Sequence, residues 1–221
     1  MLRGVFVTGT DTNIGKTLVS AALMSKYRTK VPLRYWKPVQ TGIERDDDTR
    51  EVQRLAACRP EETLNEGIRL SRPLSPHLAA RLSGFRIEIQ PLVDIIASEP
   101  ASDRWIVEGA GGALVPVNDT ELMADLMVRL ALPVVVVARA RLGTINHTLL
   151  TLEALRARSL VVGGVVMVGP RNEENCRAIE TYGGVRVLGQ LPRMSPLTPK
   201  ALARWAAAEL DPEGRLLESL R

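Results

Sequence analysis

Gly9-Thr10-Asp11-Thr12-Asn13-Ile14-Gly15-Lys16-Thr17 places two glycines, a lysine and a hydroxyl side chain in one short run. A β-branched segment precedes it and a helical pattern follows, which is the context of a phosphate-binding loop. Backbone N–H groups and the helix N-terminus of such a loop form an anion site. Lys16 is then placed to reach β- and γ-phosphates, and the Thr17 hydroxyl to ligate Mg²⁺. Five residues separate Gly9 from Gly15, one more than the standard pattern has, so the loop is a variant. Lys37 sits at the end of the second candidate strand, in Tyr35-Trp36-Lys37-Pro38. Ligands of open α/β sheets gather outside the carboxyl ends of the strands, where a lysine can neutralise a transferred phosphoryl group. Glu108-Gly109-Ala110-Gly111-Gly112 follows a third run, so a carboxylate stands at a strand end with glycines that let backbone approach a ligand. Mg²⁺ takes one or two carboxylates besides phosphate oxygens and water. Asp46, Asp47 and Asp48 compete for the second place on chemistry alone.

The elements needed to position these residues are legible in the hydrophobic pattern. Short β-branched runs at 5–8, 33–36, 105–108, 133–138, 161–168 and 185–188 alternate with helical patterns at 16–27, 49–57, 76–82, 92–98, 121–130, 145–158, 173–182 and 199–209. This alternation predicts one three-layer α/β domain over 1–221, its mostly parallel sheet covered by helices on both faces. Val134-Val135-Val136-Val137 is continuous and apolar, as a strand buried on both faces must be. The stretch 42–76 is the least regular and is expected to be an insertion over the sheet rather than a second domain. Hydrophobic residues make up 45% and charged residues 24%, the balance of a globular protein. No apolar run reaches the length of a membrane span, and the first residues lack the pattern of a signal peptide. Cys58 and Cys176 have no metal-ligand or redox-motif spacing, so free thiols and a cytoplasmic location are expected. The net charge of +4 is spread along the chain and aromatics are only 4%, which argues against a nucleic-acid surface and suits a small anionic substrate.

Taken together, several segments resemble the dethiobiotin synthetase family. They are Val7-Thr8-Gly9-Thr10-Asp11-Thr12 with Gly15-Lys16-Thr17, Lys37-Pro38-Val39 with Thr41-Gly42, Ser75-Pro76-His77, Val107 to Gly112, and Leu142-Gly143-Thr144-Ile145-Asn146-His147. The last third of the chain is similar only in pattern. The resemblance implies a P-loop NTPase-like fold and a Mg²⁺- and ATP-dependent ligase. It joins 7,8-diaminononanoate and CO₂ into a ureido ring by way of a carbamate and a carbamic–phosphoric anhydride. Lys37 and Lys16 are the implied catalytic residues, and Thr17, Asp48 and Glu108 the implied metal ligands. Asp48 is favoured among the three aspartates because it falls in phase with Val52 and Leu55 of the following helix. Nucleotide contacts are implied for Thr12, Asn13, Ile14, Gly15, Lys16, Thr17 and Leu18, for Glu108, Gly109, Ala110 and Gly111, and for Leu191, Pro192 and Arg193. Diamine contacts are implied for Thr12, Thr41, Thr144 and Asn146. The resemblance further implies a homodimer with the substrate carboxylate held at a helix N-terminus across the interface, and no nucleic-acid or membrane partner. Some family members read adenine with an asparagine where this chain has Val168, so other nucleoside triphosphates are expected to serve.

Two further functional classes compete. Nucleotide-dependent switch ATPases of the same branch carry a second lysine five residues before the loop lysine, where this sequence has Asp11. Amidotransferase-type ligases add a glutaminase domain that a 221-residue chain is not expected to hold. His77 and His147 each stand at an expected helix start and read as structural.

Overall fold

The computed structural model describes residues 2–220. Its strands are Gly4–Gly9 (β1), Leu33–Trp36 (β2), Val39–Thr41 (β3), Thr63–Leu64 (β4), Ile68–Leu70 (β5), Arg104–Gly112 (β6), Val134–Arg139 (β7), Val162–Val168 (β8) and Val187–Leu191 (β9). The α-helices are Lys16–Tyr27 (α1), Asp48–Ala56 (α2), Pro76–Leu82 (α3), Ile89–Ala97 (α4), Met123–Leu130 (α5), Thr144–Arg156 (α6), Glu173–Gly183 (α7), Pro199–Glu209 (α8) and Arg215–Leu220 (α9). Seven strands form one parallel sheet in the order β4-β2-β6-β1-β7-β8-β9, and β3 and β5 pair separately.

Strand period decides which core each side chain enters. Val5, Val7, Tyr35, Ile106, Val135 and Val137 point to the face covered by α1, α2, α8 and α9. Phe6, Trp36, Trp105, Val107, Val134 and Val136 point to the face covered by α3 through α7. α1 is enclosed on nearly all sides, burying Val19, Ser20, Ala21, Ala22, Leu23, Met24 and Tyr27, which is why its sequence lacks a polar stripe.

The expected elements are present with instructive differences. The strand expected at 105–108 runs over Arg104–Gly112, so Glu108 lies within it and not at its end, and the β3–β5 pair was not expected. The segment 42–76 does not simply lie over the sheet, because Thr63–Leu64 pairs with Tyr35–Trp36 as its edge strand. A two-residue strand has no period to detect. The run expected to be a strand at 185–188 is paired at Val187–Leu191 instead, against Val165–Val168. Gly189 and Gln190 have little β propensity, and only the neighbouring strand recruits them. α9 was not anticipated; its Leu216 and Leu220 fill the core under α1, and one and a half turns carry too little pattern to read.

Candidate active site

The strand order puts β6 between β1 and β2, so three carboxyl ends meet at one edge of the sheet. Val7 is level with Glu108, and Trp36 is level with Val107. Lys37 therefore stands beside Glu108, one residue beyond the end of β2. Both side chains fall on the α1 face, because each is in phase with the residues of its strand that point there.

The loop after β1 delivers the other half of the site. Asn13 and Gly15 adopt left-handed backbone conformations with φ of 54° and 99°. At Gly15 a side chain would be both strained and 3.1 Å from Val168 Cγ1, which is why a glycine is needed there. Gly15 caps α1 with no side-chain hydrogen bond, leaving the first-turn N–H groups directed at the loop's interior. Arg139, at the end of β7, pins the loop by donating to the Thr12 carbonyl at 2.7 Å and to Asp11 Oδ2 at 3.2 Å. Lys16 is only 7% exposed, and its ammonium donates to the Asp11 carbonyl at 3.2 Å. Burial, and next the charge of Lys37, push its pKa down to about 8.

Lys37 is the centre of a buried ionic cluster. Its Nζ lies 2.6 Å from Asp48 Oδ2, 2.8 Å from Glu108 Oε1 and 3.1 Å from the Gly109 carbonyl, so all three ammonium protons have acceptors. Burial opposes its charge, but Glu108 and Asp48 outweigh that and hold its pKa above the usual lysine value. Glu108 is fully buried, and an ionised group there must be paired to be tolerated. Burial raises the Asp48 carboxyl, and Lys37 more than offsets this, holding it below the ordinary carboxylate range. The Thr17 hydroxyl is 2.8 Å from Asp48 Oδ1 and 3.1 Å from Glu108 Oε1, so its one proton has two carboxylates to choose from.

The three aspartates have different tasks. Asp47 caps α2, its side chain accepting from the Arg50 N–H at 3.0 Å. That starts the helix at Asp48 and turns Asp48 toward Thr17 and Lys37. Asp46 is exposed and takes part through its backbone, its carbonyl accepting from Gln40 and its N–H donating to the Gly42 carbonyl.

Among the described residues, no group of three or more His, Cys, Asp and Glu could hold a metal ion. Two carboxylates and a hydroxyl are nevertheless the donor set of a hard cation that keeps water and phosphate oxygens as its remaining ligands. Thr17, Asp48 and Glu108 fit Mg²⁺ in that sense. The glycines after Glu108 serve geometry: β6 bulges at Gly109–Gly111, so that Glu108 pairs with Val7 while Gly112 pairs with Gly9. A side chain on Gly109 would lie 2.9 Å from the Phe6 ring, and Gly111 has a φ of +69°.

Beyond the loop lies an open cavity of about 330 Å³ lined by Asn13, Ile14, Gly15, Arg139, Arg141, Val168, Gly169, Pro170 and Arg193. Leu191 is buried at the end of β9 just below it, and Pro192 is exposed. Leu18 packs against the α1-side core. Ala110 is buried within the bulge, and Thr41 is half-buried on β3. Thr144 and Asn146 open α6 after the left-handed Gly143; the Thr144 hydroxyl is buried without a partner, and Asn146 is exposed. No hydrogen bond within the described residues links these two to the Lys37 cluster.

Sequence reasoning missed three participants. Ser20 and Tyr35 donate to Glu108 at 2.8 and 3.0 Å. Their signals were present: Ser20 follows Thr17 by one helical turn, and Tyr35 precedes Lys37 by one strand period. Arg139 had no such signal, since only sheet order brings it to the loop.

The AAA domain family profile matches residues 3–201. An ATP-dependent dethiobiotin synthetase BioD of Paramagnetospirillum magneticum is 49% identical over 203 residues, covering 91% of this chain and 94% of that protein. The same-named protein of Nitrobacter hamburgensis is 48% identical, covering 91% and 92%. Among solved structures, a ParA family ATPase from Chlorobium tepidum TLS superposes with a TM-score of 0.57 at 11% identity over 100% of this chain and 98% of that one. That likeness concerns the fold alone. With near-half identity over almost the whole length on both sides, the chain belongs to the ATP-dependent dethiobiotin synthetase family.

Proposed function

We propose that this chain is a dethiobiotin synthetase, a ligase that closes the ureido ring from 7,8-diaminononanoate and CO₂ while ATP becomes ADP and phosphate. The observation that carries this reading is the meeting of Lys16 and Thr17 with the buried Lys37–Asp48–Glu108 cluster at one sheet edge. One amine of the substrate takes up CO₂ as a carbamate, releasing a proton. A carbamate oxygen bonds to the γ-phosphorus as the bond to ADP breaks. The second amine then attacks the carbonyl carbon, loses a proton and expels phosphate. Such chemistry needs positioning and charge stabilisation and little covalent help from the protein.

The residues divide that work. Lys16 and the loop N–H groups hold the β- and γ-phosphates, and Lys37 neutralises the carbamate and the transferring phosphoryl group. Thr17, Asp48 and Glu108 would hold Mg²⁺, which supplies further charge neutralisation at the phosphates. Thr12 and Thr41 contact the diamine. The nucleotide base occupies the cavity beside Val168 and Arg193. A homodimer completes the site, with Thr144 and Asn146 at the α6 N-terminus of one copy holding the carboxylate of substrate bound to the other. Supporting this, Leu142 is fully exposed, and Leu150 and Tyr182 on α6 and α7 are also exposed. Among the described residues no helix is long and apolar enough to cross a membrane, and we place the enzyme in the cytoplasm.

Incubation with the diamine, bicarbonate, Mg²⁺ and ATP, followed by mass spectrometry, tests the reading. Dethiobiotin and ADP should appear together in equal amounts. ATP hydrolysis indifferent to the diamine would point instead to a switch ATPase, a reading that Asp11 in place of a second lysine disfavours.

A further inference from the structure

The two oxygens of Glu108 have separate partners. Oε1 faces Lys37 at 2.8 Å and Thr17 at 3.1 Å, whereas Oε2 accepts from Ser20 Oγ at 2.8 Å and from Tyr35 OH at 3.0 Å. Each hydroxyl has one proton to give, and two donors fill both lone-pair directions of Oε2. Rotation of the carboxylate about its last bond would break both contacts together. The donors also come from the elements that carry the rest of the site: Ser20 from α1, one turn after Thr17, and Tyr35 from β2, one strand period before Lys37. A displacement of either element would therefore be felt at the carboxylate plane. Both side chains are fully buried, so water does not compete for these bonds.

We propose that Ser20 and Tyr35 are positioning residues that lock the carboxylate plane of Glu108 and present Oε1 to Mg²⁺ and Lys37. This rests on the reading of Glu108 as a metal ligand. The competing account is that Glu108 merely satisfies two core hydroxyls, in which case their removal affects stability and not metal affinity. Partners that orient a metal ligand typically contribute 10–100-fold in metal affinity.

The test uses the whole protein saturated with ADP, with Mn²⁺ as the probe and free ion followed by electron paramagnetic resonance. Ser20→Ala combined with Tyr35→Phe should raise the Mn²⁺ Kd by about tenfold or more, and Ser20→Thr, which keeps a donor, should stay within about threefold of the parent. ADP affinity in EDTA should be unchanged in both. Glu108→Gln is the control for the underlying reading. If Glu108→Gln weakens Mn²⁺ binding but the double variant does not, the positioning role is refuted and the metal assignment stands. If Glu108→Gln leaves Mn²⁺ binding intact, the metal assignment fails and the positioning role with it. Should the double variant not fold, Ser20→Ala alone decides, and an unchanged Kd refutes the proposal.

Discussion

Lys16 and Lys37 are two buried lysines in one site with opposite electrostatics. Lys37 has two carboxylates and is held charged, whereas Lys16 has only a carbonyl and loses basicity to burial. In the folded protein without nucleotide, Lys16 is thus a destabilising cation. Its pKa falls from 10.5 in the unfolded chain to about 8, so below pH 8 it is charged in both states and folding bears the full desolvation cost. That cost is on the order of 3 kcal/mol and disappears as the pH rises from 8 to above 10.5, where the group is neutral in both states. Lys16→Met should accordingly stabilise the ligand-free protein at pH 7, with the gain shrinking toward pH 10.5 in denaturant titrations. The same variant should lose roughly 10²–10³-fold in kcat, the usual effect of deleting one preorganised electrostatic donor. An active and less stable variant would contradict the assignment. Lys37→Met should lose turnover to a similar degree, about 10²-fold or more, while calorimetry still finds ADP bound. Loss of ADP binding would mean that Lys37 serves the nucleotide and not the reacting groups.

At the scale of elements, α2 exists in its observed register because Asp47 supplies the cap and Asp48 begins the helix. Removing the cap should fray the first turn that holds Asp48 against Lys37 and Thr17. Asp47→Ala is expected to cost about 1 kcal/mol in stability, the ordinary worth of an N-cap, and to raise the Mg²⁺ requirement modestly. Asp48→Asn should raise that requirement far more at little cost in helix stability, since a neutral oxygen is a weaker ligand for a hard cation. Asp46→Asn should do neither. Mg²⁺ activation curves alongside thermal melts separate the three, and a larger activation defect in the Asp47 variant would reassign the ligand.

At the scale of the whole molecule, strand order brings β8 and β9 beside the phosphate loop and builds the open cavity there. Its wall at Val168 offers no side-chain donor or acceptor, Arg139, Arg141 and Arg193 offer donors only, and Asn13, whose amide offers both, belongs to the loop itself. Apolar walls discriminate weakly between analogues. CTP and GTP should therefore support ring closure within about tenfold of ATP in kcat/KM, a difference of about 1.4 kcal/mol. A preference for ATP above about a hundredfold would show that backbone groups read the base. The other whole-molecule feature is the exposed apolar surface around α6 and α7, where Leu142 just before α6, Leu150 on α6 and Tyr182 on α7 are uncovered. Sedimentation should find a dimer, and Leu142→Asp with Leu150→Asp should yield monomers that still bind ADP but bind the diamine about tenfold or more weakly, as expected when a charged carboxylate contact is lost. A variant that is monomeric and fully active would remove the partner's α6 from the site.

What the sequence alone determined was whatever depends on neighbours along the chain. The Gly9–Thr17 loop, Lys37 just past a strand and the alternation of β and α are encoded in spacing and period, whereas Glu108, expected at a strand end, lies inside a strand that runs on through the glycines to Gly112. Tertiary structure decided everything that depends on neighbours across the sheet. Placing β6 between β1 and β2 made Lys37 and Glu108 partners although they lie 71 residues apart. The same arrangement drew Ser20 and Tyr35 onto Glu108, and Arg139 onto the loop. It turned Thr63–Leu64 into an edge strand and moved the end of β9 to Leu191 beside Val168. Asp48 was already favoured in the sequence by its phase with Val52 and Leu55, and the Asp47 cap on the Arg50 N–H is a local contact, but only the packing of α2 against the sheet set Asp48 against Lys37. Local propensity and period act over a few residues, whereas register, burial and charge pairing act only after distant strands have met.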